Sequence, residues 1–456
     1  MPALRSALPA IVFSRAIART TAWTTAGLFS FLVFSGPNLF SQNQALYFPP
    51  KTGNTWQTTP PPSLGFCQER IDSLYHFLED KNTKSFLLLK DGKIVLEKYF
   101  GTFVQDSIWY WASAGKSLTA FLVGQAQEES LLNIGDKSSQ YLGAGWTTCP
   151  PNKEDLITVR SQLTMTSGLD DNVPDDNCEL PACLTFKADA GARWAYHNAP
   201  YRLLHDVIED ASGLTINQFT KTRVLDRTGM KGLWFDHVMY GRARDMARYG
   251  LLTLARGVWD GDTLLRDQQY FHDMTHRSQE LNKSYGYLWW LNGQPSFMLP
   301  GLQLVIPGKM LPNAPDDLIA ALGKNDQKIH VVPSKGWVVV RQGNDAGYVG
   351  PGGGQVPIYF DDALWGYLNQ LECAPVAAKD IFENEPLVQI SPNPAQSAWH
   401  IESEALPEKI ELYDALGVLL RSLENTAAVD ATDLPAGAYW LKISMGGKTV
   451  LKQVQK

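Results

Sequence analysis

Two groups of apolar strands, separated by a long and mostly helical stretch, are the feature that most constrains the fold of this chain. The first group spans residues 85–97 and turns at Asp91-Gly92, a dipeptide typical of a two-residue hairpin. The second group spans residues 328–341 and turns at residues 333–336. Because apolar strands are stable only when they pair with other strands and pack against further elements, we expect both groups to share one sheet. The sequence thus predicts an α+β fold: an antiparallel sheet flanked by helices, with a large helical insertion and a cleft between two lobes.

Changes in residue pattern divide the chain into five predicted segments. Basic residues precede the apolar stretch 26–34, which is too short to span a bilayer and ends in a polar sequence, as in a secretory signal. We expect cleavage near Ser41 or at Ser35, and a short membrane anchor is the alternative interpretation. The segments are a signal peptide (1–41), a Pro-rich linker (42–64), a main domain (65–375), a second linker (376–386) and a small C-terminal β-sandwich (387–456).

Composition and charge narrow the class of protein. The chain has 456 residues, enough for one large domain and a smaller one. Its 44% hydrophobic and 19% charged residues are typical of a packed globular protein. The formal net charge of -7 argues against a nucleic-acid partner, which would require a basic face.

Five cysteines are present, and export would allow disulfide bonds between them. Cys178 and Cys183 lie in one polar loop and could close a small ring. Cys67 begins the first predicted helix of the main domain and Cys373 follows the last one, so these two could also meet. Cys149 would then remain unpaired. The spacings match no zinc site, and we expect neither a metal ion nor a cofactor.

Ser113-Ala114-Gly115-Lys116 is the only Ser-x-x-Lys sequence in the chain. A helical pattern continues from Lys116, so Ser113 opens a helix, where the macrodipole favours negative charge developing on its oxygen. Lys116 lies one turn further along the same face, within reach of the hydroxyl. A serine hydroxyl is a poor nucleophile and needs such a neighbour. The alternative interpretation is an ordinary helix start.

Tyr196-His197-Asn198 is the second candidate element, and it leads into a predicted helix. A phenol near a lysine ammonium is stabilised as phenolate, while a desolvated lysine loses its proton more easily. Either Tyr196 or Lys116 could therefore accept the serine proton and pass it to a leaving group. The alternative is that Tyr196 is a packed aromatic residue. Tyr367-Leu368-Asn369 repeats the spacing, but Tyr367 fits the core face of the last helix.

Other polar residues are interpreted as structural. The Asp361-Asp362 pair begins the last predicted helix of the main domain and is read as an N-cap rather than a catalytic pair. His197, His237 and His330 are read as surface or packing residues, because a Ser-Lys-Tyr site needs no histidine.

Four further stretches complete a pattern, namely residues 155–169, 224–231, 242–251 and 285–290. With the two elements above, and in this order, they resemble the serine β-lactamase and penicillin-binding protein superfamily, in particular class C β-lactamases and their esterase-like branch. The resemblance covers roughly residues 65–372. It implies Ser113 as nucleophile, Lys116 as general-base partner, Tyr196 as shared acid/base and Asn198 as a donor that steers the substrate.

The third motif of that superfamily differs here. In place of Lys-Thr-Gly or the esterase-like Gly-x-Gly-Gly-Gln turn, the chain has Gly-Lys-Asn-Asp-Gln at residues 323–327. The resemblance implies that Gly323, Lys324 and Asn325 bind the substrate. A backbone N–H such as that of Lys324 would complete an oxyanion hole with the N–H of Ser113. The missing Lys-Thr-Gly argues against β-lactam or cell-wall peptide substrates and favours esters or small amides.

The C-terminal residues carry a second resemblance. The stretches 390–394, 412–417 and 433–440 are similar to the C-terminal sorting domain of type IX secretion. The resemblance implies handling by the type IX machinery, passage from the bacterial periplasm across the outer membrane, and commonly removal of the domain. A carbohydrate-binding or adhesive sandwich is the alternative.

Three functions remain open on this sequence. The first is a secreted, extracellular or cell-surface serine hydrolase that forms an acyl-serine on a small ester, amide or peptide. The second keeps this chemistry but acts as a β-lactamase or D-alanyl-D-alanine carboxypeptidase. The third is a surface-binding protein on a hydrolase scaffold that has lost catalysis, which the altered third motif suggests and the intact Ser113, Lys116, Tyr196 and Asn198 oppose.

Overall fold

The computed structural model describes residues 46–348, 357–373, 388–415 and 417–456. The predicted signal peptide (1–41) and second linker (376–386) lie outside the described residues. The α-helices are α1 (Gln68–Asp80), α2 (Lys116–Glu128), α3 (Ser139–Leu142), α4 (Pro151–Glu154), α5 (Val159–Leu163), α6 (Asn198–Ser212), α7 (Ile216–Thr220), α8 (Asp226–Thr228), α9 (Ala243–Leu254), α10 (Gln268–Thr275) and α11 (Pro357–Leu368).

Short and long β-strands make up several sheets. They are β1 (Thr83–Lys90), β2 (Lys93–Tyr99), β3 (Trp109–Tyr110), β4 (Leu233–Phe235), β5 (Val238–Gly241), β6 (Val258–Trp259), β7 (Asp262–Thr263), β8 (Trp290–Leu291), β9 (Ser296–Phe297), β10 (Ile306–Pro307), β11 (Ile319–Gly323), β12 (Gln327–Val332), β13 (Trp337–Gly343), β14 (Val388–Ser391), β15 (Ala398–Ser403), β16 (Lys409–Tyr413), β17 (Leu419–Glu424), β18 (Ala428–Asp430), β19 (Ala438–Met445) and β20 (Lys448–Gln455).

The main sheet joins the two ends of the main domain. Its strand order is β2-β1-β13-β12-β11-β8, and its neighbouring strands are antiparallel. Leu88 of β1 lies opposite Val339 of β13, and both side chains are fully buried. The early and late strands therefore share one sheet, as the sequence predicts, and α2 to α10 are inserted in the chain between β2 and β8. The predicted α+β fold is confirmed.

The first hairpin shows how local sequence determines the strand register. Asp91 and Gly92 both have positive φ, at 50° and 84°, as a two-residue turn of this kind requires. A Cβ atom on Gly92 would lie 1.9 Å from the carbonyl oxygen of Tyr47, so only glycine fits there. Lys90 consequently pairs with Lys93, and β1 and β2 continue side by side.

Helices cover both faces of the main sheet. On one face α9 approaches closely at Gly250, where a Cβ atom would lie 2.4 Å from Val338 Cγ1 and 3.0 Å from Ile329 Cγ2. Side chains alternate between the two faces of a strand, so Lys328 and His330 of β12 point to the opposite face. There they contact Asp361 of α11.

The position of Asp361 corrects one sequence prediction. The last helix of the main domain begins at Pro357, so Asp361 lies inside it rather than at an N-cap. Asp361 is fully buried, with one carboxylate oxygen 2.7 Å from Lys328 Nζ and the other 2.8 Å from His330 Nε2. These two groups lower its pKa against the effect of burial. His330 thus belongs to a buried polar cluster with Lys328 and Asp361 and is more than a packing residue.

Two disulfide bonds and one free thiol agree with the expected use of the cysteines. Cys67, the N-cap of α1, is bonded to Cys373, which follows α11, with their Cα atoms 5.8 Å apart. Cys178 is bonded to Cys183 within one loop. Cys149 is buried and unpaired.

The C-terminal residues form two further sheets around their own core. One sheet has the order β14-β15-β18 and the other β17-β16-β19-β20. Trp399 and Val429 from the first sheet and Leu441 and Ile443 from the second belong to one buried cluster. This arrangement is a small β-sandwich, as the sequence predicts. Among the described residues, no helix is long and apolar enough to cross a membrane.

Replacing Asp361 with alanine should lower the free energy of unfolding by about 3 kcal/mol, because it removes the nearer carboxylate from a buried ammonium. The adjacent Asp362→Ala variant is the matched control. Asp362 is only partly buried and accepts hydrogen bonds from Asn313, so we expect a loss of about 1 kcal/mol. Urea unfolding followed by tryptophan fluorescence measures both losses, and equal losses would contradict the importance of the buried cluster.

Candidate active site

Ser113 lies in a single 3₁₀ turn, Ala112–Gly115, that leads directly into α2. Ala112 has a φ of 47°, a left-handed conformation that is uncommon for a residue with a side chain. The preceding residue, Trp111, is fully buried, and its N–H donates to the carbonyl oxygen of Met239 at 2.8 Å. The buried Trp111 thus fixes the start of the turn, while Ser113 itself stays partly exposed.

Lys116 is enclosed directly beneath Ser113. Its side chain is only 4% exposed, and Nζ donates to Ser113 Oγ and to Asn198 Oδ1, each at 2.9 Å. The rings of Tyr196 and Tyr201 lie 5.1 Å and 4.3 Å from Nζ. The helical spacing used in the sequence prediction therefore brings the amine into hydrogen-bonding distance of the hydroxyl.

Burial lowers the pKa of Lys116 from 10.5 to about 7. Desolvation is the main cause, because the charged ammonium loses its water shell. Arg202 lowers the pKa further, whereas the carboxylate of Asp176 raises it. An amine with a pKa near 7 is uncharged in a large fraction of molecules at neutral pH, and in that form it can accept a proton from Ser113.

Tyr196 is held by an aromatic wall beside Ser113. Its ring stacks on Trp290 with centroids 5.8 Å apart, and it lies 6.3 Å from Tyr285. Burial raises the pKa of Tyr196, while an interaction with the Ser113 hydroxyl partly opposes this. The phenol is therefore neutral at neutral pH, so of the two proton acceptors that the sequence left open, Lys116 is the favoured one.

Asn198, the first residue of α6, connects Lys116 to a residue that sequence reasoning missed. Its Oδ1 atom accepts from Lys116 Nζ, and its Nδ2 atom donates to Asp176 Oδ2, both at 2.9 Å. Asp176 lies two residues before Cys178 of the loop disulfide. That small ring was the one signal in the sequence that this loop is ordered.

The third motif lies against the turn that carries Ser113. Gly323 ends β11, and a Cβ atom on it would lie 2.4 Å from the carbonyl oxygen of Trp111 and 3.1 Å from the N atom of Ala114. Only glycine permits this approach. Lys324, the next residue, is exposed. Asn325 has a φ of 57°, and its Nδ2 atom donates to Tyr110 Oη at 2.7 Å.

Buried side chains brace this altered turn from behind. Gln327 Nε2 donates to the carbonyl oxygens of Lys324 and Asn325, at 3.2 Å and 2.8 Å. Arg341 Nη1 also donates to the carbonyl oxygen of Asn325, at 2.9 Å. The backbone of the turn is therefore fixed although its sequence differs from the usual third motif. Sequence reasoning missed Tyr110 and Arg341, since nothing in their local sequence links them to the turn.

Comparison with known families identifies both parts of the chain. Residues 80–354 match the Beta-lactamase family, so this chain belongs to the β-lactamase family, whose members are serine hydrolases. Residues 389–456 match the family described as Secretion system C-terminal sorting domain. The chain therefore carries the sorting domain that directs export to the cell surface by the type IX secretion system.

Individual relatives are distant. A "Putative penicillin-binding protein" of Bacillus subtilis is 28% identical over 159 residues, which are 32% of this chain and 39% of that protein, so the match spans well under half of the relative. An uncharacterized protein of Alkalihalophilus pseudofirmus is 22% identical over 311 residues, covering 59% of this chain and 86% of that protein.

Solved structures share the fold at low sequence identity. A "Putative 6-aminohexanoate-dimer hydrolase" from Bacillus anthracis has a TM-score of 0.53 and 17% identity, covering 71% of this chain and 89% of that one. A "putative beta-lactamase" from Bacteroides dorei has a TM-score of 0.52 and 17% identity, covering 67% and 99%. These likenesses show the fold.

Acylation at Ser113 should slow as the pH falls through about 7, because protonated Lys116 has no lone pair to accept the serine proton. Below that pH the rate should fall about tenfold per pH unit. The measurement is the rate of inactivation by a reactive aryl phosphonate from about pH 5 to pH 9. Lys116→Arg, which stays charged throughout, should be roughly 10²-fold slower or more above pH 7, and its rate should not show this fall at lower pH. A wild-type rate independent of pH would contradict the neutral-amine interpretation.

Proposed function

We propose that this protein is a secreted, esterase-like serine hydrolase that cleaves a small ester or amide through an acyl-serine at Ser113. The observation that supports it most is the 2.9 Å contact between Ser113 Oγ and the buried Lys116 Nζ, whose pKa lies near 7. Hydroxyl and amine are then poised for proton transfer at neutral pH without a histidine or a metal ion.

Acylation would proceed by proton transfer to Lys116. Ser113 Oγ attacks the carbonyl carbon of the substrate while its proton passes to Lys116 Nζ. The negative charge that develops on the carbonyl oxygen is stabilised by the N–H of Ser113 and a backbone N–H of the Gly323–Asn325 turn, which packs against Trp111. The rigid bracing of that turn supports this role, since donors held in place need no reorganisation during the reaction.

Tyr196 would complete the cycle as a neutral acid. Its phenol, with a raised pKa and an interaction with the Ser113 hydroxyl, can donate a proton to the leaving oxygen or nitrogen as the tetrahedral intermediate collapses. The proton on Lys116 Nζ then replaces the one that Tyr196 gave up. In deacylation water attacks the acyl-serine, its proton is taken by the same pair, and Ser113 recovers its hydroxyl.

Substrate preference is inferred from what surrounds the turn. The superfamily's Lys-Thr-Gly is replaced, the Lys324 side chain is exposed, and the amide of Asn325 is already bonded to Tyr110. The opposite side is aromatic, formed by Tyr196, Trp290 and their neighbours. These features favour an uncharged, partly apolar ester or amide over a substrate recognised by its carboxylate.

The names of the two similar solved structures support a second candidate function. One is named for hydrolysis of a 6-aminohexanoate dimer and the other as a β-lactamase. β-Lactamase or D-alanyl-D-alanine carboxypeptidase activity is therefore the alternative for this chain, and a binding protein without catalysis is a third outcome.

Hydrolysis of short-chain aryl esters by the wild type should fall by at least about 10³-fold in Ser113→Ala, because the nucleophile is removed. A chromogenic cephalosporin should not be cleaved. Ser107→Ala serves as the matched control, since Ser107 Oγ only accepts from the N–H of Val104 in a partly exposed turn.

The two substrates separate the three functions. Cephalosporin turnover at a rate similar to ester turnover would favour the β-lactamase alternative. Ester turnover that survives in Ser113→Ala would remove Ser113 as the nucleophile. If neither substrate is cleaved and no phosphonate adduct forms, the binding-protein alternative replaces the proposal.

A further inference from the structure

We propose that Asp176 is a positioning residue of the active site, which fixes the amide of Asn198 and thereby the amine of Lys116. The carboxylate of Asp176 lies on a loop that we call the clamped segment. This segment comprises residues 175–183 and contains the Cys178–Cys183 disulfide. This inference rests on the proposed function and adds a role that neither the Ser-x-x-Lys nor the Tyr-x-Asn motif contains.

Three hydrogen bonds connect Asp176 to the nucleophile in series. Asn198 Nδ2 donates to Asp176 Oδ2, Lys116 Nζ donates to Asn198 Oδ1, and Lys116 Nζ also donates to Ser113 Oγ, each at 2.9 Å. A side-chain amide has one donor end and one acceptor end. A carboxylate accepts only, so Asp176 determines which end of Asn198 faces Lys116. Without it, the amide could turn its NH₂ group towards the lysine.

The clamped segment holds Asp176 firmly in this position. The backbone N–H of Ala199, on the first turn of α6, donates to the carbonyl oxygen of Asp176 at 2.8 Å. Glu179 in the same segment forms an ion pair with Arg202, one helical turn further along α6. The segment is therefore attached to α6 at two levels, and the disulfide closes the ring of residues 178–183, which follows Asp176 and contains Glu179.

The charge of Asp176 also acts on Lys116. Titratable groups around the amine are Tyr196 before α6, Tyr201, Arg202 and His205 on α6, Tyr285 behind Tyr196, and Asp176 on the clamped segment. Burial keeps the tyrosines and His205 neutral, since it raises the pKa of the former and lowers that of the latter. Asp176 is thus the anion that raises the pKa of Lys116, against Arg202, which lowers it.

Two substitutions separate charge from positioning. Asp176→Asn keeps an oxygen that accepts from Asn198 but removes the charge. The acid limb of the pH–rate profile, in which the acylation rate falls, should therefore move to lower pH, while the plateau rate at high pH stays within about threefold. Asp176→Ala removes both, so the limb should move and the plateau should also fall by about tenfold or more. Asp175→Asn, one residue away on the exposed side of the segment, is the control and should change neither.

The experiment uses the full chain and two readouts. The first is the pH dependence of phosphonate inactivation in the wild type and the three variants. The second is the titration of Lys116 by NMR of ¹³Cε-labelled lysine, with the resonance assigned by Lys116→Arg, and it requires no catalysis. A lower Lys116 pKa in Asp176→Asn and a lost plateau in Asp176→Ala are the expected results.

Failure of this inference can be told apart from failure of the proposed function. If the inactivation rate of the wild type falls below about pH 7, and neither the Lys116 titration nor the rate at high pH changes in Asp176→Ala, the inference is overturned and the function stands. If the wild type does not react, the function fails, and the NMR titration alone decides whether Asp176 controls Lys116.

Discussion

The burial of Lys116 against Ser113 is the interaction on which the rest of the site depends. An ammonium in this position is costly, and desolvation brings the pKa of Lys116 to about 7. The same burial raises the pKa of Tyr196, so in a large fraction of molecules at neutral pH an uncharged amine lies beside a neutral phenol. In the proposed mechanism the amine accepts the serine proton and the phenol donates a proton to the leaving group. A single physical cause thus separates the two roles.

The fold supplies what this burial requires. The main sheet carries Gly323 at the end of β11 to the turn of Ser113, and the absence of a Cβ atom allows the two backbones to meet. Helix α6 brings Asn198 to the other side of Lys116, with the disulfide-closed loop attached to it. Strand, turn and helix therefore converge on one lysine, although the residues they contribute are far apart in sequence.

Local chemistry explains which parts could be predicted from the sequence. Asp91-Gly92 indicated a hairpin because few residues tolerate its backbone conformation, and the spacing of Ser113 and Lys116 indicated a contact because it equals one helical turn. The protonation of Tyr196 could not be predicted, since it depends on burial by Trp290 and Tyr285. Asp176 was missed because it lies 22 residues before Asn198 and belongs to no motif. Asp361 was misassigned because the helix starts earlier, at Pro357. Its buried partners, Lys328 and His330, come from a distant strand and cannot be inferred from the local sequence.

An acid-quenched reaction with a short-chain aryl ester, followed by mass spectrometry of the proteolytic peptides, shows whether Ser113 is acylated during turnover. We expect the mass of the acyl group to appear on the peptide containing Ser113 during turnover and to disappear once the ester is consumed. Steady ester hydrolysis with no acyl group on that peptide, or with the acyl group on another residue, would contradict it.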